Sequence, residues 1–372
     1  MGSPVNASSW SSVLLLTSLL GCGASPPPAE LQRFVFVSEM GGNTIAQVDP
    51  VTSRIVGRWQ VGTHPEYMGL DEQRHLLYVA VDDGDQIGVF DTRSLTSTTM
   101  SVAGLGSSRI GMTIAGNGTE LLVSTRGPTG TIGEDNTLDI VKVDHESSPP
   151  TGTLVHSVHV GPHPLRAVVK GPYVVISALG MPSGIGDGAV ASCLTVLDST
   201  NGFQEVKRFL LDTAKPEGID VHPTMNIAYV ALHGTNEMAV LDLDQMSLTR
   251  VGMTSSRGNN PAPSVGTVTP DGRRMFVSAQ GTNTLLLFDL SDPYHPTQDT
   301  SVELMVGIQP HDILWLDDTR AYVANTANAT PDGSLALLQN YAATPTVDRD
   351  VIKLDNPLSM VLAAGSAPVL SP

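Results

Sequence analysis

Four short segments carry the side chains in this sequence best suited to chemistry: His64-Pro65-Glu66, His163-Pro164-Leu165-Arg166, Lys215-Pro216-Glu217 and Pro310-His311-Asp312. Imidazoles and carboxylates brought to one point can act as acid and base or hold a transition metal. His233 and Arg109 are the residues outside these segments expected to join them. His64, His163 and His311 are the candidate ligands for a divalent or copper ion. The same residues also have a plain structural use. Proline fixes φ at the start of a strand, and a histidine before it can satisfy local backbone groups, which would leave a polar but inert rim.

Convergence of these segments requires a scaffold that repeats, and the chain has one. Pro216, Pro263, Pro310 and Pro357 stand 47 residues apart. Each opens a unit of short β-rich runs separated by turn residues; in one unit these are Ile219–Val221, Ile227–Ala231, Met238–Asp242 and Leu248–Val251. Self-similarity at that period, with strands in every unit, predicts a β-propeller. Seven blades of four strands fill residues 33–362. The first blade has only Phe34–Val37, Ile45–Asp49 and Ile55–Val61, and the inner strand it lacks stands at the far end as Pro357–Leu362. Pairing of the two chain ends is therefore expected to close the ring and remove the exposed sheet edges. Residues 363–372 are left as a tail.

In a propeller, the loops leading into the inner strands share a face with the turns between second and third strands. The longest insertions fall there, at 126–137, 180–190, 255–263 and 326–333, so binding is expected on that face. The aspartates that end the third strands, Asp49, Asp91, Asp144, Asp198, Asp242 and Asp289, sit where an Asx turn needs them and are assigned to structure. Asp82-Asp83-Gly84-Asp85 lacks the spacing and terminal glutamate of a calcium loop and reads as a hairpin tip.

The second-strand segments Leu77-Tyr78-Val79-Ala80, Ala228-Tyr229-Val230-Ala231 and Ala321-Tyr322-Val323-Ala324-Asn325 resemble the YVTN-type β-propeller repeats of bacterial and archaeal cell-envelope proteins. The resemblance covers nearly all of the chain after residue 32. It implies the fold rather than an activity, since such relatives include surface proteins, lactonases and subunits of redox enzymes.

Residues 1–32 have another character. Trp10–Leu20 is apolar and too short to span a bilayer, and it runs into Leu19-Leu20-Gly21-Cys22 and then Pro26-Pro27-Pro28. This resembles a bacterial lipoprotein signal over 1–21, with Cys22 as the lipidated residue and 22–32 as a Pro/Ser tether. It implies an outer-membrane or periplasmic lipoprotein held to the membrane through its N-terminal lipid. Cys193 would then be the one remaining thiol, in a blade-four strand, as a buried structural residue. The chain has no CxxCH, CxxC, P-loop or GxGxxG pattern.

A formal net charge of −17 disfavours nucleic acid and anionic lipid as direct ligands. With 41% hydrophobic but only 5% aromatic residues, a carbohydrate face of stacked rings is not expected either. Two functions fit. The pattern favours a monomeric binding scaffold that presents its loop-rich face to a protein or small envelope ligand. The alternative is a periplasmic enzyme or redox subunit, lactonase-like or copper- or quinone-dependent, using the His/Glu/Arg ring at the channel mouth.

Overall fold

The computed structural model describes residues 32–83, 85–106, 109–125, 136–180, 191–327 and 332–368. The signal segment 1–21, Cys22 and the tether up to residue 31 lie outside the described residues.

Seven antiparallel sheets of four strands each make up the fold. Blade five shows the pattern. Its inner strand Pro216–Val221 is followed outward by Ile227–Leu232, Glu237–Asp242 and Ser247–Gly252. Every residue of Ile227–Leu232 is buried, because both faces of that strand meet a neighbouring blade, whereas exposed residues recur along the outer strand. The core is accordingly divided into seven apolar clusters, one in each joint between adjacent blades. Cys193 is buried in blade four with its Sγ 3.5 Å from the Val160 carbonyl oxygen.

The ring closes as expected. Pro357–Gly365 pairs antiparallel with Gln32–Glu39, setting Val35 opposite Leu362 and Val37 opposite Met360. It runs three residues beyond the segment that the inner-strand pattern marks. Side chains lock the same seam. Ser38 Oγ donates to the Ser359 carbonyl and accepts from the Ser359 N–H. Buried Glu39 accepts from Arg58 at 2.8 and 3.2 Å, from Thr44 Oγ1 and from the Asp355 N–H. A carboxylate so deeply buried is tolerable only with that many donors.

All six third-strand aspartates form the turns assigned to them: the carboxylates of Asp49, Asp91, Asp144, Asp198, Asp242 and Asp289 each accept from a backbone N–H two residues ahead.

A second repeated device sets the face that matters. The residue before the inner-strand proline has a left-handed backbone in six blades: His64, His163, Lys215, Ala262, Gln309 and Asn356, with φ from 46 to 53°. That conformation turns the chain from the outer edge of one blade into the centre of the next. In four of these loops the N–H so exposed is taken by an asparagine side chain from the preceding blade: Asn43 to His64, Asn136 to His163, Asn236 to Ala262 and Asn283 to Gln309. Each of these asparagines stands between the second and third strands of its blade, so those turns and the lead-in loops do share one face.

Candidate functional site

Just after its opening residue, the inner strand slips register against its neighbour in five blades: between Arg109 and Met112, Pro164 and Ala167, Pro216 and Ile219, Pro263 and Gly266, and Pro310 and Ile313. Such bulges leave two residues outside the ladder and re-aim their side chains. In blades four, five and seven the bulged residues include Arg166, Glu217, His311 and Asp312, so the irregularity falls where the sequence concentrates its chemistry.

These side chains meet across the channel. The Arg166 guanidinium of blade four lies 4.6 Å from the Tyr67 ring centroid of blade two and 3.7 Å from Asp312 Oδ1 of blade seven. Tyr67 Oη is 3.4 Å from His311 Nε2, also of blade seven. Blades two, four and seven are not neighbours, so their side chains can touch only by reaching over the axis, and together they plug the channel. Blade five adds Glu217, whose Oε1 stands 3.3 Å from His233 Nδ1. The other oxygen of Asp312 accepts from the Met360 N–H of the closing strand, which ties the site to the closure of the ring.

Burial sets the protonation of this plug. Burial, with the Arg166 and His233 charges adding, pushes His311 down to about 3, so its imidazole is neutral at neutral pH. Burial raises Asp312 despite the opposing pull of Arg166. The Tyr67 hydroxyl is raised for the same reason and stays protonated. Burial works against the Arg166 charge, but Tyr67, Asp312 and Asp220 outweigh it and hold that guanidinium above its ordinary value. Asp220, further along the blade-five inner strand, is raised by burial to about 6, although the Val268 and Val221 N–H groups and Arg166 favour its ionised form. Among the described residues, His311 Nδ1 is buried without a hydrogen bond, whereas His233 Nδ1 is buried beside Glu217 Oε1 at 3.3 Å but is poorly aligned for a hydrogen bond to it. With the proton on Nε2, His311 donates to Tyr67 Oη, which leaves the Tyr67 O–H to donate to a ligand and the bare Nδ1 to accept from one.

Other expected site residues lie elsewhere. Half-exposed His64 pairs with Glu66 at 3.6 Å and Asp82 at 3.9 Å on the rim. His163 is held through its backbone: its N–H donates to Asn136 and its carbonyl accepts from the Leu179 N–H. Arg109 takes the place of the proline in blade three and is almost wholly buried, with its guanidinium donating to the Val81 and Gly106 carbonyls. It staples the joint between blades two and three. No three His, Cys, Asp or Glu side chains among the described residues come together as a metal site, so His64, His163 and His311 do not form a three-ligand centre. The expected walls at 126–137 and 180–190 fall largely on 126–135 and 181–190, outside the described residues.

Two members of the plug were not singled out in the sequence. Tyr67 follows Pro65 by two places, as Arg166 follows Pro164 and Asp312 follows Pro310, so the repeat itself marks it. Asp220 interrupts the apolar Ile219–Val221 run, and a carboxylate inside an inner strand is a signal of its own.

No family model matches the chain, and no curated protein matches it. Solved structures do. The fold is similar to the periplasmic gluconolactonase of Pseudomonas aeruginosa, with a TM-score of 0.68 at 12% identity, covering 91% of this chain and 100% of that one. A putative 6-phosphogluconolactonase from Bacteroides uniformis gives a TM-score of 0.69 at 13% identity, covering 90% and 99%. Hydrazine synthase of Kuenenia stuttgartiensis gives 0.63 at 14%, covering 90% and 99%. Likeness at such identity establishes the seven-bladed fold, which hosts unrelated chemistries.

Proposed function

We propose that the plugged mouth of the channel binds a small polar molecule and hydrolyses it, with a sugar lactone as the substrate class. One observation carries this reading: Tyr67, Arg166, His311 and the Glu217–His233 pair converge from four blades, with His311 Nδ1 buried and unbonded among them. A surface scaffold gains nothing from that arrangement and pays desolvation for it. Lactonase-like proteins among the structures of similar fold support the same choice.

The roles follow from position. Glu217 orients His233, which takes a proton from water as the water oxygen attacks the lactone carbonyl carbon. Arg166 and the Tyr67 hydroxyl face the oxyanion that forms. The ring C–O bond then breaks, and the leaving alkoxide recovers the proton from His233, giving a hydroxy acid. His311, neutral and bonded to Tyr67, holds that hydroxyl in place.

The lipoprotein-like start, with Cys22, favours action in the cell envelope, and a periplasmic protein of similar fold agrees with it. The test is a pH-stat assay of purified protein with a panel of sugar lactones. Acid release above the spontaneous rate, lost on Glu217→Gln, is the expected result. No rate above background with any lactone would return the protein to the scaffold reading.

A further inference from the structure

The charges at the mouth restrict what can enter. Glu66, Glu217 and Asp312 are joined by Asp220 beneath them, and all four lie close enough to act on Tyr67 or Arg166. Arg166 is the one guanidinium among the described residues of this cluster, and it is engaged by Asp312 and by the Tyr67 face. The cluster therefore carries an excess of negative charge, and the chain around it adds a net −17. A phosphate dianion at the mouth would face Glu66, Glu217 and Asp312 with Arg166 already engaged, and the exposed Lys215 of the blade-five lead-in loop is outnumbered by these carboxylates, so like charges at such range disfavour binding.

Resting on the lactonase reading, we propose that this site selects by charge, accepting uncharged sugar lactones and rejecting phosphorylated ones. Glu66 is the specificity residue. It stands on the rim beside His64, outside the groups assigned to proton transfer, and acts on any ligand through its field.

The experiment compares kcat/KM for glucono-δ-lactone and for its terminal phosphate ester, at low and high ionic strength, in the wild-type protein and in Glu66→Gln. The uncharged lactone should be preferred by at least roughly tenfold at low salt, since each tenfold corresponds to about 1.4 kcal/mol of like-charge repulsion. Added salt and Glu66→Gln should each narrow the ratio. Equal or better use of the phosphorylated lactone, or a ratio that Glu66→Gln leaves unchanged, overturns the proposal. If neither lactone is consumed, the hydrolase reading has failed, and charge selection is decided separately by NMR. A cationic nitroxide should then broaden the His233 and His311 ring signals more than an anionic one, by a margin that Glu66→Gln reduces. Equal broadening would overturn it.

Discussion

The Arg166 guanidinium and the Tyr67 ring lie 4.6 Å apart, centre to centroid, although they are 99 residues apart in the sequence and belong to blades four and two. Their contact turns a ring of equivalent positions into a site, because it brings unlike side chains onto the axis that relates them. A cation over an aromatic face in a partly desolvated setting contributes about 1–2 kcal/mol.

Closure of the ring should govern the stability of the whole. Deleting residues 356–372 removes Pro357–Gly365, leaves the Gln32–Glu39 edge unpaired and strips Asp312 of the Met360 N–H. Calorimetry should show a large fall in Tm or loss of the cooperative transition. Melting at the wild-type temperature would contradict the assignment of that strand.

The asparagine latches should matter individually. Asn283→Ala leaves the Gln309 N–H without its acceptor and places alanine at φ 57°, a conformation that asparagine tolerates better. A loss of roughly 1–3 kcal/mol in denaturant unfolding is expected. A neutral result would show that the latch is satisfied in another way.

Stability should respond to pH through two buried groups with opposite signs. Asp220 titrates near 6 in the folded protein, above the ordinary carboxylate value of 3.8, so its contribution is complete below about pH 4 and is lost as pH rises through 6. His311, held near 3 against an ordinary 6.5, contributes fully above pH 6.5, and that contribution is lost as pH falls towards 3. Asp220→Asn should flatten the first decline, by roughly 3 kcal/mol at most for a shift of about two pH units, and His311→Asn the second. Tm profiles that neither variant alters would rule out burial of these groups at the axis.

Anchoring is tested by fractionation. In a bacterial host that processes lipoproteins, the wild-type chain should partition with membranes and Cys22→Ser should be released or left unprocessed, because the lipid supplies the apolar anchor. Equal distribution of the two forms would make Cys22 incidental.

The fold was legible because a 47-residue period, strand-sized apolar runs and a missing first inner strand are all one-dimensional signals. The aspartate turns were legible too, since an Asx turn is made within three residues. The site was legible only in part. His64-Pro65 and His163-Pro164 share a motif, yet their left-handed backbones bind them into loop latches, while His311, after its proline rather than before it, reaches the axis. Arg109 and Arg166 look alike in the sequence, but one meets backbone carbonyls in a blade joint and the other an aromatic ring across the channel. Such differences depend on the bulges and on which blades face one another, and neither is written in local spacing.

The most direct test of the account is a crystal structure of Glu217→Gln with a sugar lactone bound. The lactone carbonyl oxygen should lie within hydrogen-bond distance of the Arg166 guanidinium and Tyr67 Oη, with His233 on the side from which water attacks. A lactone bound away from the axis, or Arg166 and Tyr67 out of its reach, would contradict the proposed site.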